Sequence, residues 1–176
     1  MPAPNGKPRP RIRAEQPADA GMVRAVNEAA FDSALEADIV ERIRDQGGAS
    51  VSLVADSSGV VLGHILFSPV SVGGHPALRV MGLGPMAVLP THQRQGIGSS
   101  LVREGLDRCQ EMGCDAVVVL GHPAYYPRFG FVPASRYGIS SEYDVPDEVF
   151  MLVELRPGSL DGVTGEVIYD DAFRDI

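Results

Sequence analysis

The sequence predicts a single mixed α/β domain built on a central sheet, and three observations predict it. A length of 176 residues suits one domain with a real hydrophobic core. From Arg11 to about Arg156, β-branched apolar runs and helical periodicities follow one another without an internal repeat or a mid-chain linker. Hydrophobic residues make up 44% and charged residues 22%, an ordinary globular balance. No apolar run approaches the roughly 18 residues that span a bilayer.

Residues 1–10, "MPAPNGKPRP", are proline-rich and basic and lack the apolar stretch of a secretory leader, so they read as a disordered tail. The domain proper is expected over 11–157, and 158–176 as a C-terminal extension. "RIRAEQ" reads as a first strand. A helix follows in "PADAGMVRAVNEAAF", with Asp19 as a candidate N-cap and Met22, Val23, Val26 and Ala30 at helical spacing. A second helix is predicted in "SALEADIVERIRDQGG": Ser33 and Glu36 have capping-box spacing, Leu35, Ile39 and Ile43 form one stripe, and Gly47-Gly48 ends it.

"SVSLVAD", "VVLGHILFSPVSV" and "LRVMGLGPMAVL" are then three strands of an antiparallel meander, the first two joined by the turn "SSG". The next helix buries Ile97, Leu101, Val102, Leu106, Cys109 and Met112 and shows Arg103, Glu104, Asp107, Arg108 and Glu111 to water, and Gly113 stops it. "DAVVVLG" is a buried strand. In "PAYYPRF", Pro127 allows only a single turn, and "GFVPA" and "EVFMLVEL" supply two last strands. "GVTGEVIYD" reads as an extra strand that either pairs with a second copy, giving a homodimer, or folds back on its own sheet.

Fifteen Lys and Arg against 23 Asp and Glu give a net charge of -8, which argues against non-specific nucleic-acid binding. An anionic ligand must therefore be held by a local device. Cys109 and Cys114 have no second pair to complete a metal site, so no metal is expected. They read as reduced thiols of a cytoplasmic protein.

Such a local device is present in "LPTHQRQGIGSSLV". A strand, a tight loop with Gly96 and Gly98, and an amphipathic helix place unpaired N–H groups at the positive end of the helix dipole. Glycines let a phosphate approach them closely. A lone G-x-G is more commonly a plain strand-to-helix turn. There is no Walker A sequence, and "GLGPMA" is no dinucleotide fingerprint, because Pro85 interrupts it and no helix follows.

"QRQGIG" resembles the Q/R-x-x-G-x-G/A signature of the GNAT superfamily of N-acetyltransferases. "YPRFGF", about 30 residues later, resembles its second landmark, a Tyr four residues before the Gly of G-F. The run "VVVLGHPAYYPRFGF" looks like the YhbS-like branch. The resemblance implies a mostly antiparallel central sheet, splayed at an acyl-CoA site, with helices on both faces and the order β-α-α-β-β-β-α-β-α-β-β.

It also implies acetyl-CoA as co-substrate, its pyrophosphate on the loop Gln93, Arg94, Gln95, Gly96, Ile97, Gly98 and Ser99. The pantetheine arm would pair with Met86, Ala87 and Val88 as an added strand, and Leu120 and Gly121 would face it across the wedge. Gly82, Gly84 and Pro85 fit either a bulge that opens this wedge or a merely weak edge.

The implied reaction is direct attack of an amine on the thioester, with the Val88 N–H polarising the carbonyl and Tyr126 as the acid for the departing thiolate. A bare aromatic packing role is the alternative for Tyr126. Tyr125 reads as core or substrate-facing, and Arg128 as a CoA contact or a solvated side chain. For the amine's proton, Glu28, Asp32, Glu36, Asp38, His64, His75 and His122 are available, with a water relay preferred. His64, alone in a strand, reads as structural. The acidic loop "SRYGISSEYDVPDE" either is solvated or attracts a cationic acceptor. A non-catalytic acyl-CoA sensor of the same fold is the alternative to the enzyme.

Overall fold

A computed structural model describes residues 9–48 and 50–174, so the expected tail lies outside the described residues apart from Arg9 and Pro10. The elements are β1 (Arg11–Ala14), α1 (Ala20–Phe31), α2 (Leu35–Gln46), β2 (Val51–Ser57), β3 (Val60–Val72), β4 (Val80–Val88), α3 (Ile97–Glu111) and β5 (Ala116–Leu120), then β6 (Val132–Pro133), β7 (Ile139–Ser141), β8 (Phe150–Glu154) and β9 (Gly165–Ile168). They form a mixed α/β fold whose main sheet runs β1-β2-β3-β4-β5-β8-β6, with β9 pairing β3 and β7. Only β4–β5 and β7–β9 are parallel; the other pairings are antiparallel.

Period-2 alternation along β2 and β3 divides the core between two helical layers. Leu53, Ala55, Ile65 and Phe67 pack with Leu101, Val102 and Leu106 of α3. Val54 and Leu66 point the other way, against Val23, Val26, Ile39, Val40 and Ile43 of α1 and α2. Each fully buried aliphatic side chain of this kind contributes roughly 1.5–3 kcal/mol. Gly105 sets how closely α3 approaches the sheet, since a Cβ there would lie 2.1 Å from the Phe67 ring.

Four local expectations are refined: Asp19 holds the N-cap position of α1 without its side-chain bond, and Pro127 leaves the single turn expected of it. Asp19 precedes α1 but makes no side-chain cap. Its carboxylate is taken by the Gln16 N–H (2.8 Å) and by Arg13 (2.7 Å). Ser33 and Glu36 do not form a capping box. Ala34 is the N-cap of α2, Ser33 Oγ accepts from the Leu35 N–H at 3.1 Å, and the Glu36 carboxylate is left for another use. The helix that the family order puts between β5 and β6 is a single 3-10 turn at Tyr126–Phe129, with Pro127 inside it. The loop "SRYGISSEYDVPDE" contains a strand, β7, whose Ile139–Ser141 pair with Gly165–Val167 of β9. The C-terminal strand thus folds back on its own chain.

The wedge comes from β4. Val80–Leu83 pair with Ala116–Val119 of β5, whereas Met86, Ala87 and Val88 have ladder partners only on β3. Gly84 (φ 151°) and Pro85, which has no N–H, lie at the break, and the β3–β4 register shifts opposite them.

His64 lies wholly buried on β3 in a closed hydrogen-bond chain. The Asn27 amide donates to Nδ1 (3.2 Å), Nε2–H donates to Ser52 Oγ (2.8 Å), and the Ser52 hydroxyl donates to Glu15, which Arg44 also grips. This wiring accounts for a neutral imidazole, and burial holds its pKa below the ordinary histidine value. The unfolded chain therefore binds a proton near pH 6.5 that the folded chain refuses. Stability is fully present above about pH 6.5 and falls as pH drops toward the lower folded value. Thermal melts between about pH 7.5 and 5.5 should show a decline in wild type that His64→Gln flattens. An equal decline in both would assign the slope elsewhere.

Candidate active site

Two cavities flank the wedge. The first, about 450 Å³, lies at the start of α3 and is lined by Val88, His92, Gln93, Arg94, Gly96, Ile97, Gly98, Ser99, Tyr125 and Arg128. Among the described residues its wall has two arginines and no acid, the local positive device that a chain of charge -8 would need to hold an anion. Arg94 (φ 62°) and Gly96 (φ 86°) are left-handed, an arrangement that gathers successive N–H groups into one concavity. The first helical bond runs from the Ser100 N–H to the Gly96 carbonyl, so the N–H groups of Ile97, Gly98 and Ser99 are the orphan donors of α3.

The two glycines differ in kind. Gly96 is required by its backbone angle. Gly98 is not: a Cβ there would meet only Tyr125 Oη at 3.4 Å and the end of Met86 at 3.5 Å, ordinary contacts. Its bareness keeps the cavity open.

β-strand alternation gives the direction of the free peptide groups. The Leu89 N–H donates to the Leu62 carbonyl at 2.9 Å, so Leu89 and Ala87 turn toward β3 while Val88 and Met86 turn toward the gap. Gln93 Nε2 donates to the Val88 carbonyl at 3.0 Å, across that opening. The Ala87 side chain is buried against α1 and α2. Gln95 lies outside the first cavity, in a groove with Arg9 and Arg103.

Tyr125 packs against the core, as one of its two readings expects, and also lines the first cavity. Its hydroxyl bonds Ser99 Oγ at 3.0 Å, and Arg128 lies 4.4 Å above its ring while donating to its carbonyl at 2.8 Å. Tyr126 stands at right angles to it, 5.1 Å away, and lines the second cavity. Phe131 packs edge-on against the Tyr126 ring, and Gly121 forms its seat: a Cβ on Gly121 would lie 2.3 Å from the ring. Gly121 therefore positions Tyr126 and lines neither cavity. Burial pushes the Tyr126 phenol up to about 12, above the value near 10 that an exposed tyrosine has.

The second cavity, about 300 Å³, is lined by Gly84, Pro85, Met86 and Leu120 at the wedge, by Tyr126, and by Phe31, Glu36, Tyr143, Tyr169 and Phe173 on the outer wall. The last three come from the β7 loop and the C-terminal segment, a contribution not foreseen in the sequence. The visible signal was the aromatic spacing in "EYDV" and "VIYDDAF", which has meaning only once β7 and β9 pair. Of the acids near the first helices, Glu28 and Asp38 are held by Arg24, and Asp32 ends α1 in a left-handed conformation. Glu36 alone of them lines the cavity. In the acidic loop, Glu142 is occupied by the Tyr169 N–H at 3.0 Å. Among the described residues no group of three or more His, Cys, Asp or Glu could hold a metal ion, and no helix is long and apolar enough to cross a membrane.

A strand splayed from its neighbour, a glycine loop on a helix N-terminus, and a tyrosine beside the gap define the class of N-acyltransferase folds to which the two sequence motifs pointed. The chain belongs to the acetyltransferase (GNAT) family, whose model matches residues 20–131. Within it the chain falls in the YhbS-like branch. It is 40% identical over 164 residues to the protein of Escherichia coli (strain K12) named "Uncharacterized N-acetyltransferase YhbS", covering 93% of this chain and 98% of that one. The crystal structure of YhbS from Escherichia coli in complex with CoA superposes with a TM-score of 0.91 at 38% identity, covering 98% of this chain and 96% of that one. A GNAT family acetyltransferase from Brucella melitensis in complex with acetyl-CoA gives 0.78 at 39% identity, covering 93% and 97%.

Proposed function

We propose that the protein is a cytoplasmic, acetyl-CoA-dependent N-acetyltransferase that acts on a primary amine. The observation that carries the reading is the pair of cavities lined by opposite ends of the free edge, Val88 in one and Met86 in the other, the first basic and lined by orphan N–H groups, the second apolar. Gly96, Gly98 and Ser99, with Arg94, hold the pyrophosphate. Met86 turns its peptide groups into the gap and pairs with the pantetheine arm, Val88 offers its N–H there while its carbonyl is held by Gln93, and Arg128 adds charge at the mouth. The thioester then lies near Tyr126 and Leu120. The Val88 N–H polarises its carbonyl. The amine forms the new C–N bond, the C–S bond breaks, and the proton shed by nitrogen ends on sulfur.

With its phenol near 12, Tyr126 serves as a hydrogen-bond donor to the leaving sulfur and does not finish as a tyrosinate. The buried free thiols of Cys109 and Cys114 fit a reducing compartment. A sensor of the same fold would bind acetyl-CoA without turning it over. Thiol release from acetyl-CoA across a panel of amines separates the two. Amine-dependent release is expected, and tight CoA binding with no release from any amine would favour the sensor.

A further inference from the structure

We infer that the second cavity selects a small acceptor with one ammonium group on an apolar body, an alkylamine or arylalkylamine, and that Glu36 and the Tyr169 hydroxyl are its polar contacts. The inference deepens the acetyl-transfer reading and rests on it. The cavity is small for a ligand site, about 300 Å³, and most of its wall is hydrocarbon or aromatic. Tyr143 and Tyr169 stack tilted at 5.4 Å, and Phe173 meets Tyr169 edge-on at 5.8 Å, so one side is a continuous aromatic surface. Phe31, at the end of α1, is 39% exposed and forms the other side.

Against this wall stand two unsatisfied polar atoms. Glu36 Oε2 and the Tyr169 hydroxyl are both shielded from solvent and have no hydrogen-bond partner among the described residues, and Tyr169 as a whole is 9% exposed. A buried carboxylate oxygen and a buried hydroxyl without partners are costly unless a ligand supplies donors. An ammonium supplies three, and aromatic faces favour it further.

Among the described residues Glu36 is the only charged side chain of the wall, so one positive charge is matched there and a second is not. A diamine would bury its far ammonium against Tyr or Phe faces, whose attraction for a cation is weaker than that of a carboxylate counter-ion. The acidic loop does not change this, because Glu142 is already bonded and Asp144, Asp147 and Glu148 lie outside the cavity.

The test compares hexylamine and phenethylamine with cadaverine, spermidine and a short peptide as acceptors, with CoA binding measured separately by calorimetry. Cadaverine has the length of hexylamine with an ammonium in place of the methyl. The expected result is a kcat/KM at least about 10-fold higher for hexylamine than for cadaverine. Glu36→Gln should raise the KM for hexylamine by about 10- to 100-fold with CoA affinity unchanged. Tyr169→Phe should raise that KM by less, with an unchanged or higher Tm, since it removes an unpaired hydroxyl. Calorimetric binding of phenethylamine to the CoA-loaded protein, lost in Glu36→Gln, checks the same contact without turnover. Preference for cadaverine, spermidine or the peptide, or an unchanged KM in Glu36→Gln, overturns the inference and leaves acetyl transfer standing. CoA binding with no turnover of any amine overturns acetyl transfer itself.

Discussion

Tyr126→Phe is expected to lower kcat by roughly 10²-fold, the low end of what a positioned proton donor supplies, while CoA affinity and Tm stay close to wild type. The ring contacts survive the substitution, because Phe131 and the bare Gly121 face the ring, not the hydroxyl. Only the O–H beside the wedge is lost. Because burial holds the phenol near 12, Tyr126 keeps its proton across the assay range. The wild-type kcat profile should therefore show no basic limb from this residue between about pH 7 and 10. A Tyr126→Phe enzyme within about twofold of wild type would remove Tyr126 from the chemistry and leave it as packing.

Gly98→Val is expected to raise the Kd for CoA by at least about 10-fold with little change in Tm. Gly98 sits in the first turn of α3 at an ordinary helical angle, and its neighbours leave normal space for a Cβ. The branched side chain would fill the first cavity beside the N–H groups proposed to hold the pyrophosphate. Gly96→Val is the contrasting control. At φ 86° a side chain is strained, so that variant should lose Tm as well as affinity. If Gly98→Val bound CoA as wild type does, the loop would be a plain strand-to-helix turn.

The architecture was legible where periodicity is long. The 13-residue run of β3 and the apolar stripe of α3 leave no other reading, and "QRQGIG" and "YPRFGF" mark the gap from both sides. Glycine and proline inside β4 also signalled where the strand parts from β5. Short-range signals misled where a tertiary partner outbid them. Asp19 had the chemistry of a cap and was claimed by Arg13, and Ser33–Glu36 had the spacing of a capping box that did not form.

β7 was invisible because "ISS" is three residues long and is a strand only by virtue of β9. The wall of the second cavity was invisible for the same reason. Tyr143, Tyr169 and Phe173 come together through a pairing of strands 26 positions apart in register, which no local pattern encodes. The adjacent tyrosines could not be told apart in function from sequence. Tyr125 faces the glycine loop through Ser99 and Tyr126 lines the second cavity because the 3-10 turn starts between them.

If the two cavities serve one reacting thioester, the protein must move the acetyl group from CoA to an apolar amine. Acetyl-CoA labelled in the acetyl carbonyl, incubated with the protein and hexylamine and read by mass spectrometry, tests it most directly. Labelled N-acetylhexylamine is expected, formed with release of one CoA thiol per amide and strongly reduced in Tyr126→Phe. Bound acetyl-CoA with no label on hexylamine or any other amine supplied would contradict it.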